Sequence, residues 1–190
     1  MAGRQVINMP ELAAEFFARD TLTVARELIG TELIVGECVG RIVETEAYTD
    51  DAASHAVMRS RQSAIMRETF GHIYVYRIYG MHFCLNLTTD RDGPGAVLIR
   101  AVEPVQGIDQ MIARRGTSVL KLLASGPGRL CQAFGVDLSV NGLPIGERLR
   151  VRAGEPKGEV LASKRIGITK AAELEWRFTE KDSPFLSRKT

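Results

Sequence analysis

Arg41–Ala56 reads Arg-Ile-Val-Glu-Thr-Glu-Ala-Tyr-Thr-Asp-Asp-Ala-Ala-Ser-His-Ala. Strand-forming residues lead directly into two carboxylates and an aromatic ring, and a histidine comes after a short polar loop. Alternation along a strand puts Ile42, Glu44, Glu46 and Tyr48 on one face and Val43, Thr45 and Ala47 on the other. An unpaired buried carboxylate is costly, so two of them on one face of an apolar strand need partners. Structural ion pairs with arginine account for an isolated Glu-x-Glu. For Glu44 that reading stands; Glu46 is left open to acid–base work. A lone histidine such as His55 is more often a surface or satisfied core residue than a catalytic one.

Upstream, Thr31–Val35 pairs with Glu37–Tyr48 as a hairpin around Gly36-Glu37. Before it, Pro10 opens a helical stretch through Phe17, since proline suits a first helical position. Asp20 caps a second helix that presents Leu22, Ala25, Leu28 and Ile29 on one face and ends at Gly30. Downstream, Asp51 or Ser54 caps the segment after the polar loop. Arg59, Arg61 and Arg67 form a basic patch, read either as a solvated face or as phosphate contacts.

His72–Thr89 has strand composition on both sides of Tyr79-Gly80, where glycine supplies the freedom a tight turn needs. Tyr74 and Tyr76 share a face, and Tyr79 stands beside the turn with little to pack on. Ordinary strand propensity explains such a set; flat rings for stacking on a planar ligand explain it too. Ala96–Val102 is an apolar strand interrupted by Arg100, which needs Glu44 or Glu46 as a partner. Glu103-Pro104 ends it, and a helix comes next over Val105–Arg115. Ser125-Gly126-Pro127-Gly128-Arg129 precedes a short helix, Leu130–Phe134, whose glycine-rich N-terminus can bind phosphate or serve as a structural cap. Short strands are expected at Arg148–Arg152, Gly158–Ala162 and Arg165–Thr169, with a polar tail at the end.

The bulk properties exclude several classes. With 190 residues, 45% hydrophobic and 25% charged, the chain can bury one core and is no disordered polymer. A net charge of +2 means that any nucleic-acid surface must come from local clustering. Cys38, Cys84 and Cys131 lack metal-ligand spacing and read as buried thiols of a reducing compartment. No membrane span, signal pattern, GxGxxG or P-loop is present, so a cytoplasmic protein is expected.

The chain resembles the alkyladenine (3-methyladenine) DNA glycosylases. The likeness rests on Arg41–Tyr48, Ala53-Ser54-His55, Tyr74-Val75-Tyr76, Ile78-Tyr79-Gly80-Met81-His82, Cys84 and Asn86, Gly95–Pro104, and Ser125-Gly126-Pro127 with Leu130–Ala133. Weaker matches are Leu28-Ile29-Gly30, Arg165-Ile166-Gly167 and Trp176-Arg177-Phe178. These motifs span most of the chain in order. The resemblance implies a mixed α/β (α+β) fold in a single domain over 1–190. A curved antiparallel sheet, surrounding helices and a protruding hairpin are expected, with 1–9 and 182–190 as loose termini.

The same resemblance implies roles. Glu46 matches the general base for water and Arg100 its partner. Tyr48, His55 and Tyr76 match the walls of a flipped-base pocket, and Asn86 the side chain that discourages guanine. Tyr79 matches the minor-groove wedge; Met81, Arg61, Gly126 and Arg129 complete the DNA-contacting set. The implied partner is double-stranded DNA carrying damaged purines, and the implied reaction leaves an abasic site. No cofactor, metal or membrane is implied. A monomer, nucleoid-associated through DNA, is expected. The chain departs from the family after His55: Gln62-Ser63 replaces an Arg-Asn pair, and a Phe-Gly-Pro-Pro run is missing from Gln62–Phe70. Three other readings stay open: a glycosylase of shifted base preference, a non-catalytic damaged-DNA binder, and a carbohydrate hydrolase built on Glu44 and Glu46.

Overall fold

A computed structural model describes residues 9–58 and 63–188. Two short helices come first, α1 (Ala14–Phe17) and α2 (Thr21–Glu27). α2 begins where the sequence places it, with Asp20 Oδ1 accepting from the Thr23 N–H at 2.8 Å. α1 does not begin at Pro10. Glu11 instead bridges to Arg152, and the Leu12 N–H donates to Val151 O at 2.8 Å. An open sheet edge offered those backbone groups partners, and that pairing prevails over a proline start signal.

The strands are β1 (Glu32–Val35), β2 (Cys38–Tyr48), β3 (Ile73–Ile78), β4 (His82–Thr88), β5 (Ala96–Gln106), β6 (Leu149–Arg152), β7 (Val160–Ser163) and β8 (Arg177–Glu180). They form one antiparallel sheet in the order β3-β4-β5-β2-β1-β6. β8 takes the far end of β2's edge beyond β1, and β7 pairs with β8. The fold is thus the expected single-domain α+β architecture with a curved antiparallel sheet.

The centre of the sheet is irregular, and that irregularity builds the site. Ile42 faces Val102 while Glu44 faces Ala101, so Val43 is an extra residue on β2. Glu44 faces Ala101 while Thr45 faces Ile99, so Arg100 is an extra residue on β5. Bulges of this kind bend strands and re-aim side chains. Ile42 consequently joins the main core together with Ala47, which strict alternation puts on the opposite face. The expectation that Ile42 shares a face with Glu44, Glu46 and Tyr48 is therefore corrected: the bulge leaves Ile42 in the core and the polar residues opposite.

β5 also runs further than expected, through Pro104 to Gln106. Another register shift, between Val39 and Gly40, accommodates the proline, and β4 pairs only as far as Leu98, so the missing N–H breaks no ladder on that side. The remaining helices are α3 (Ala64–Glu68), α4 (Ile108–Arg115), α5 (Leu120–Leu123) and α6 (Pro127–Phe134). Neither α3 nor α5 is expected from the sequence pattern. α6 starts three residues earlier than expected, with Pro127 at its first position, and stops at Gly135, whose φ is 69°. α6 packs closely on β2: a Cβ at Gly40 would stand 2.8 Å from the Phe134 ring.

Two further expectations fail. Arg165–Thr169 is an irregular loop rather than a strand. The segment after β8, expected to be loose, is tied down: the Ser187 N–H donates to Glu44 at 2.6 Å, and Arg188 O accepts from Arg177 at 2.7 Å. The core itself is one cluster spread over Phe17, α2, the sheet and α6, with Leu28, Leu85, Ile99, Leu130 and Phe134 fully or almost fully buried. A second, smaller cluster of Ala56, Met66, Tyr74 and Ala96 backs the rings of Tyr48 and Tyr76.

Candidate active site

A cavity of about 340 Å³ opens between the β3–β4 hairpin, the loop after β2 and the Ile166–Ile168 loop. Tyr48, His55, Tyr76, Asn86, Arg100 and Tyr79 all line it, along with Cys84, Leu98 and Pro127. Residues far apart in the chain are thus gathered in one place. A larger hollow of about 480 Å³ lies beside Met9–Glu11 and β6. Its charged walls are spent on surface pairing, as in Arg150 with Glu11, and it holds no buried acid.

Tyr48 and Glu46 reach the site because β2 regains regular alternation after the bulge. Glu46 is fully buried and lies just beneath the lining. Three donors hold it, and each belongs to a lining residue. Tyr48 O–H donates to Oε2 at 2.8 Å, Arg100 Nη1 to Oε2 at 3.2 Å, and the Ile166 N–H to Oε1 at 2.7 Å. Burial raises the Glu46 pKa above the usual carboxylate range, and these three donors, Arg100 foremost, only partly offset it. The result is an oriented carboxylate of heightened basicity.

Glu44 differs. It is fully buried too, but accepts four bonds: from Arg100 Nε (3.1 Å), Arg177 Nε (2.8 Å), Ser187 Oγ (2.7 Å) and the Ser187 N–H (2.6 Å). Three of these donors converge on Oε1 and one on Oε2, so the carboxylate is held from four sides. Arg100, the bulge residue of β5, therefore pairs with both glutamates rather than with one of them.

The cavity walls are neutral rings. His55 packs edge-on against Tyr76 with centroids 4.5 Å apart, and its Nδ1 shares a 2.8 Å hydrogen bond with the Tyr74 hydroxyl. Burial lowers the His55 pKa, which favours the uncharged imidazole, and pushes that of Tyr74 up to about 12. Burial also raises Tyr48 and Tyr76, so both keep their protons. The floor is polar at one point: Asn86 turns its amide donor to Tyr74 O (3.1 Å) and Cys84 O (3.4 Å).

The hairpin tip stands out of the fold. Tyr79 is 85% exposed and Met81 71% exposed. The Met81 N–H donates to Ile78 O at 3.3 Å across a turn whose two central residues, Tyr79 and Gly80, have φ of 51° and 69°. That is the backbone pattern of a type I′ turn. Glycine accepts it freely; a tyrosine there carries strain of order 1–3 kcal/mol. An exposed, strained aromatic gains nothing from the protein's own packing.

The remaining sequence candidates sit close by or fall outside the described residues. Gly126 caps α6, and Arg129 folds back on Ser125, its Nη1 3.2 Å from Ser125 Oγ; both residues border a hollow with His82 and Arg115. Arg61 lies outside the described residues, as does Arg59. Arg67 turns inward to Ala56 O (3.1 Å) and Ser63 Oγ (2.9 Å).

Sequence reasoning missed the loop at Arg165–Ile168. Arg165 is fully buried, bonds Asp51 through both η nitrogens (2.8 and 3.1 Å), and stands 4.7 Å from the Tyr48 ring and 5.0 Å from Trp176. Its successor Ile166 supplies the N–H on Glu46. Ser187 and Arg177 were missed as well. The short Arg165-Ile166-Gly167 and Trp176-Arg177-Phe178 matches are the signals that could have pointed to the loop and to Arg177; no motif marks Ser187. Among the described residues, no group of three or more His, Cys, Asp or Glu could hold a metal ion.

The family model described as Methylpurine-DNA glycosylase matches residues 15–184. The chain belongs to the methylpurine-DNA glycosylase family. Among its relatives is a protein of Agrobacterium fabrum, 47% identical over 95% of this chain and 94% of its own length. A Rhizobium meliloti protein is 48% identical over 92% of this chain and 95% of its own. One from Methanoculleus marisnigri is 45% identical over 94% of this chain and 99% of its own. All three are named, by inference, 3-methyladenine DNA glycosylases. Family membership makes this chain a DNA-repair hydrolase of the glycosylase class, with DNA as its substrate.

Proposed function

We propose that this methylpurine-DNA glycosylase flips single damaged purines out of duplex DNA into the Tyr48–His55–Tyr76 cavity. There it hydrolyses their N-glycosidic bond and leaves an abasic site. The substrate class is 3-methyladenine, 7-methylguanine, hypoxanthine and ethenoadenine. The observation that carries this reading is Glu46: a fully buried carboxylate, oriented by three lining donors and pushed toward higher pKa.

The leaving group sets the chemistry. Alkylation at N3 or N7 puts positive charge on the purine, so the bond electrons depart with the base and the sugar becomes oxocarbenium-like. Glu46 stabilises that cation and takes a proton from the water whose oxygen bonds to C1′. Its three donors leave one carboxylate acceptor position for that water. Arg100 keeps the carboxylate aligned. The neutral rings stack on a flat base, and a cationic one gains a further cation–π contribution. Asn86 at the floor reads the base edge and disfavours guanine.

Flipping costs a few kcal/mol and leaves a gap in the stack. Tyr79 fills it from the minor groove, with Met81 beside it. Gly126, Arg129 and Arg61 contact phosphates. A monomer suffices, because one wedge acts on one nucleotide. Among the described residues, no lysine lines the cavity, which supports a monofunctional enzyme over one forming a Schiff base.

Duplexes carrying a single 7-methylguanine, hypoxanthine or ethenoadenine test the reading. Incubation and then alkali should produce cleavage at the lesion, whereas incubation alone should leave the strand intact. Strand nicking without alkali, together with a borohydride-trappable adduct, contradicts the monofunctional hydrolysis. Absence of excision from every lesion, with binding retained, favours a damaged-DNA binder instead.

A further inference from the structure

Two buried carboxylates share one guanidinium beneath the cavity, and the segment after β8 bears on how it is shared. Ser187 is the junction. Its hydroxyl donates to Glu44 Oε1 at 2.7 Å and accepts from Arg100 Nη2 at 3.4 Å, while its N–H donates to Glu44 Oε2 at 2.6 Å. The same guanidinium gives Nε to Glu44 at 3.1 Å and Nη1 to Glu46 at 3.2 Å. Arg177 supplies the other cationic contact on Glu44, at 2.8 Å, and its own Nη2 is held by Arg188 O at 2.7 Å.

We propose that Ser187 is a positioning residue for the glycosylase reaction. By satisfying Glu44 and receiving Arg100 Nη2, it fixes the guanidinium where Nη1 still reaches Glu46. This inference rests on the reading of Glu46 as the base. The reason is competition. Glu44 and Glu46 draw on one cation, and in a buried network a lost donor is made up by whatever partner can move. Without the Ser187 hydroxyl, Glu44 loses a donor and Arg100 loses an acceptor. The guanidinium then shifts toward Glu44 and away from Glu46. Without the Glu44 charge, Arg100 is free to serve Glu46 alone.

The other groups around Glu46 do not compensate. Tyr48 and Glu44 come from β2, Cys84 from β4, Arg100 from β5, and Arg165 from the loop after β7, while Arg177 of β8 reaches Glu44. Arg165 is committed to Asp51. Arg100 is therefore the cation that sets how readily Glu46 ionises, and Ser187 governs where it stands.

The test is single-turnover excision of 7-methylguanine from a duplex across pH, for wild type, Ser187→Ala, Ser187→Thr and Glu44→Gln. Thermal melting and duplex affinity are measured in parallel. Ser187→Ala is expected to move the acid limb of the profile to higher pH by about half a unit, an about threefold loss of rate on that limb. Ser187→Thr restores it, and Glu44→Gln moves the limb to lower pH. Should Glu44→Gln fail to fold, the serine pair decides alone. A Ser187→Ala profile with an unmoved acid limb, whether or not melting falls, overturns the proposal and makes the contact purely an anchor for the segment. Glu46→Gln is run alongside. If it retains excision, the base reading itself fails; if it is inactive while the Ser187→Ala limb stays put, only the positioning role is lost.

Discussion

The guanidinium carbon of Arg165 stands 4.7 Å from the centre of the Tyr48 ring. The contact joins two parts of the site. Tyr48 is a cavity wall on β2, and the residue after Arg165 donates its backbone N–H to Glu46. Arg165 is fully buried and its counter-charge Asp51 nearly so. Arg165→Ala leaves that carboxylate buried without its cation, at a cost of about 3–5 kcal/mol. The expected outcome is a much lower melting temperature, with slower excision in whatever fraction folds. Arg165→Lys should recover little, since lysine cannot bond a carboxylate as a fork. Wild-type melting in Arg165→Ala would show that the pair does not hold the site together.

The hairpin tip makes a separable prediction. Tyr79→Ser removes the side chain of a residue that is 85% exposed and keeps a Cβ at φ 51°, so stability should hold. The flipped complex should weaken by about 1–3 kcal/mol, the usual worth of stacking on an aromatic. Fluorescence of 2-aminopurine placed beside the lesion reports flipping directly. Unchanged flipping and excision in Tyr79→Ser would rule out the wedge.

Carboxylates at the site and away from it should respond to pH with opposite signs. Burial raises the Glu46 pKa. A raised pKa contributes stability that is fully present below the unfolded value and is lost as pH rises through the folded one. Glu46→Gln should therefore melt higher than wild type at neutral pH, with the difference shrinking in acid. Glu180 is the contrast. Burial works to raise it, but the Arg41 guanidinium and the Lys157 N–H outweigh that and hold its pKa down. Its contribution is present above the unfolded value and lost as pH falls through the folded one. Glu180→Gln should thus melt lower at neutral pH and converge with wild type in acid. Melting curves across pH for both variants settle the pair; shifts of the same sign would contradict it.

Much of this is legible in the sequence, for a physical reason. Glu46 and Tyr48 are two apart on a strand, Tyr74 and Tyr76 likewise, and alternation alone puts each pair on one face. Arg100 in an apolar strand announces its need for a carboxylate. The bulges are not legible, because an inserted residue such as Val43 looks like any other strand residue. Strict alternation therefore gives Ile42 the wrong neighbours. The donors Ile166 and Ser187 are invisible for another cause. They reach Glu46 and Glu44 across 120 and 143 residues, through backbone N–H groups that every residue type but proline owns. Pro104 misleads in the opposite direction, since a bulge lets the strand continue through it.

Water activation by Glu46 is the step on which the proposed hydrolysis turns. The most direct measurement is single-turnover excision of 7-methylguanine by Glu46→Gln, with duplex affinity determined on the same preparation. A positioned general base contributes about 10²–10⁴-fold, so excision should slow by at least that lower figure while lesion binding is retained. Excision within a fewfold of wild type, or loss of lesion binding along with activity, would contradict the claim and return Glu46 to the structural role that Glu44 holds.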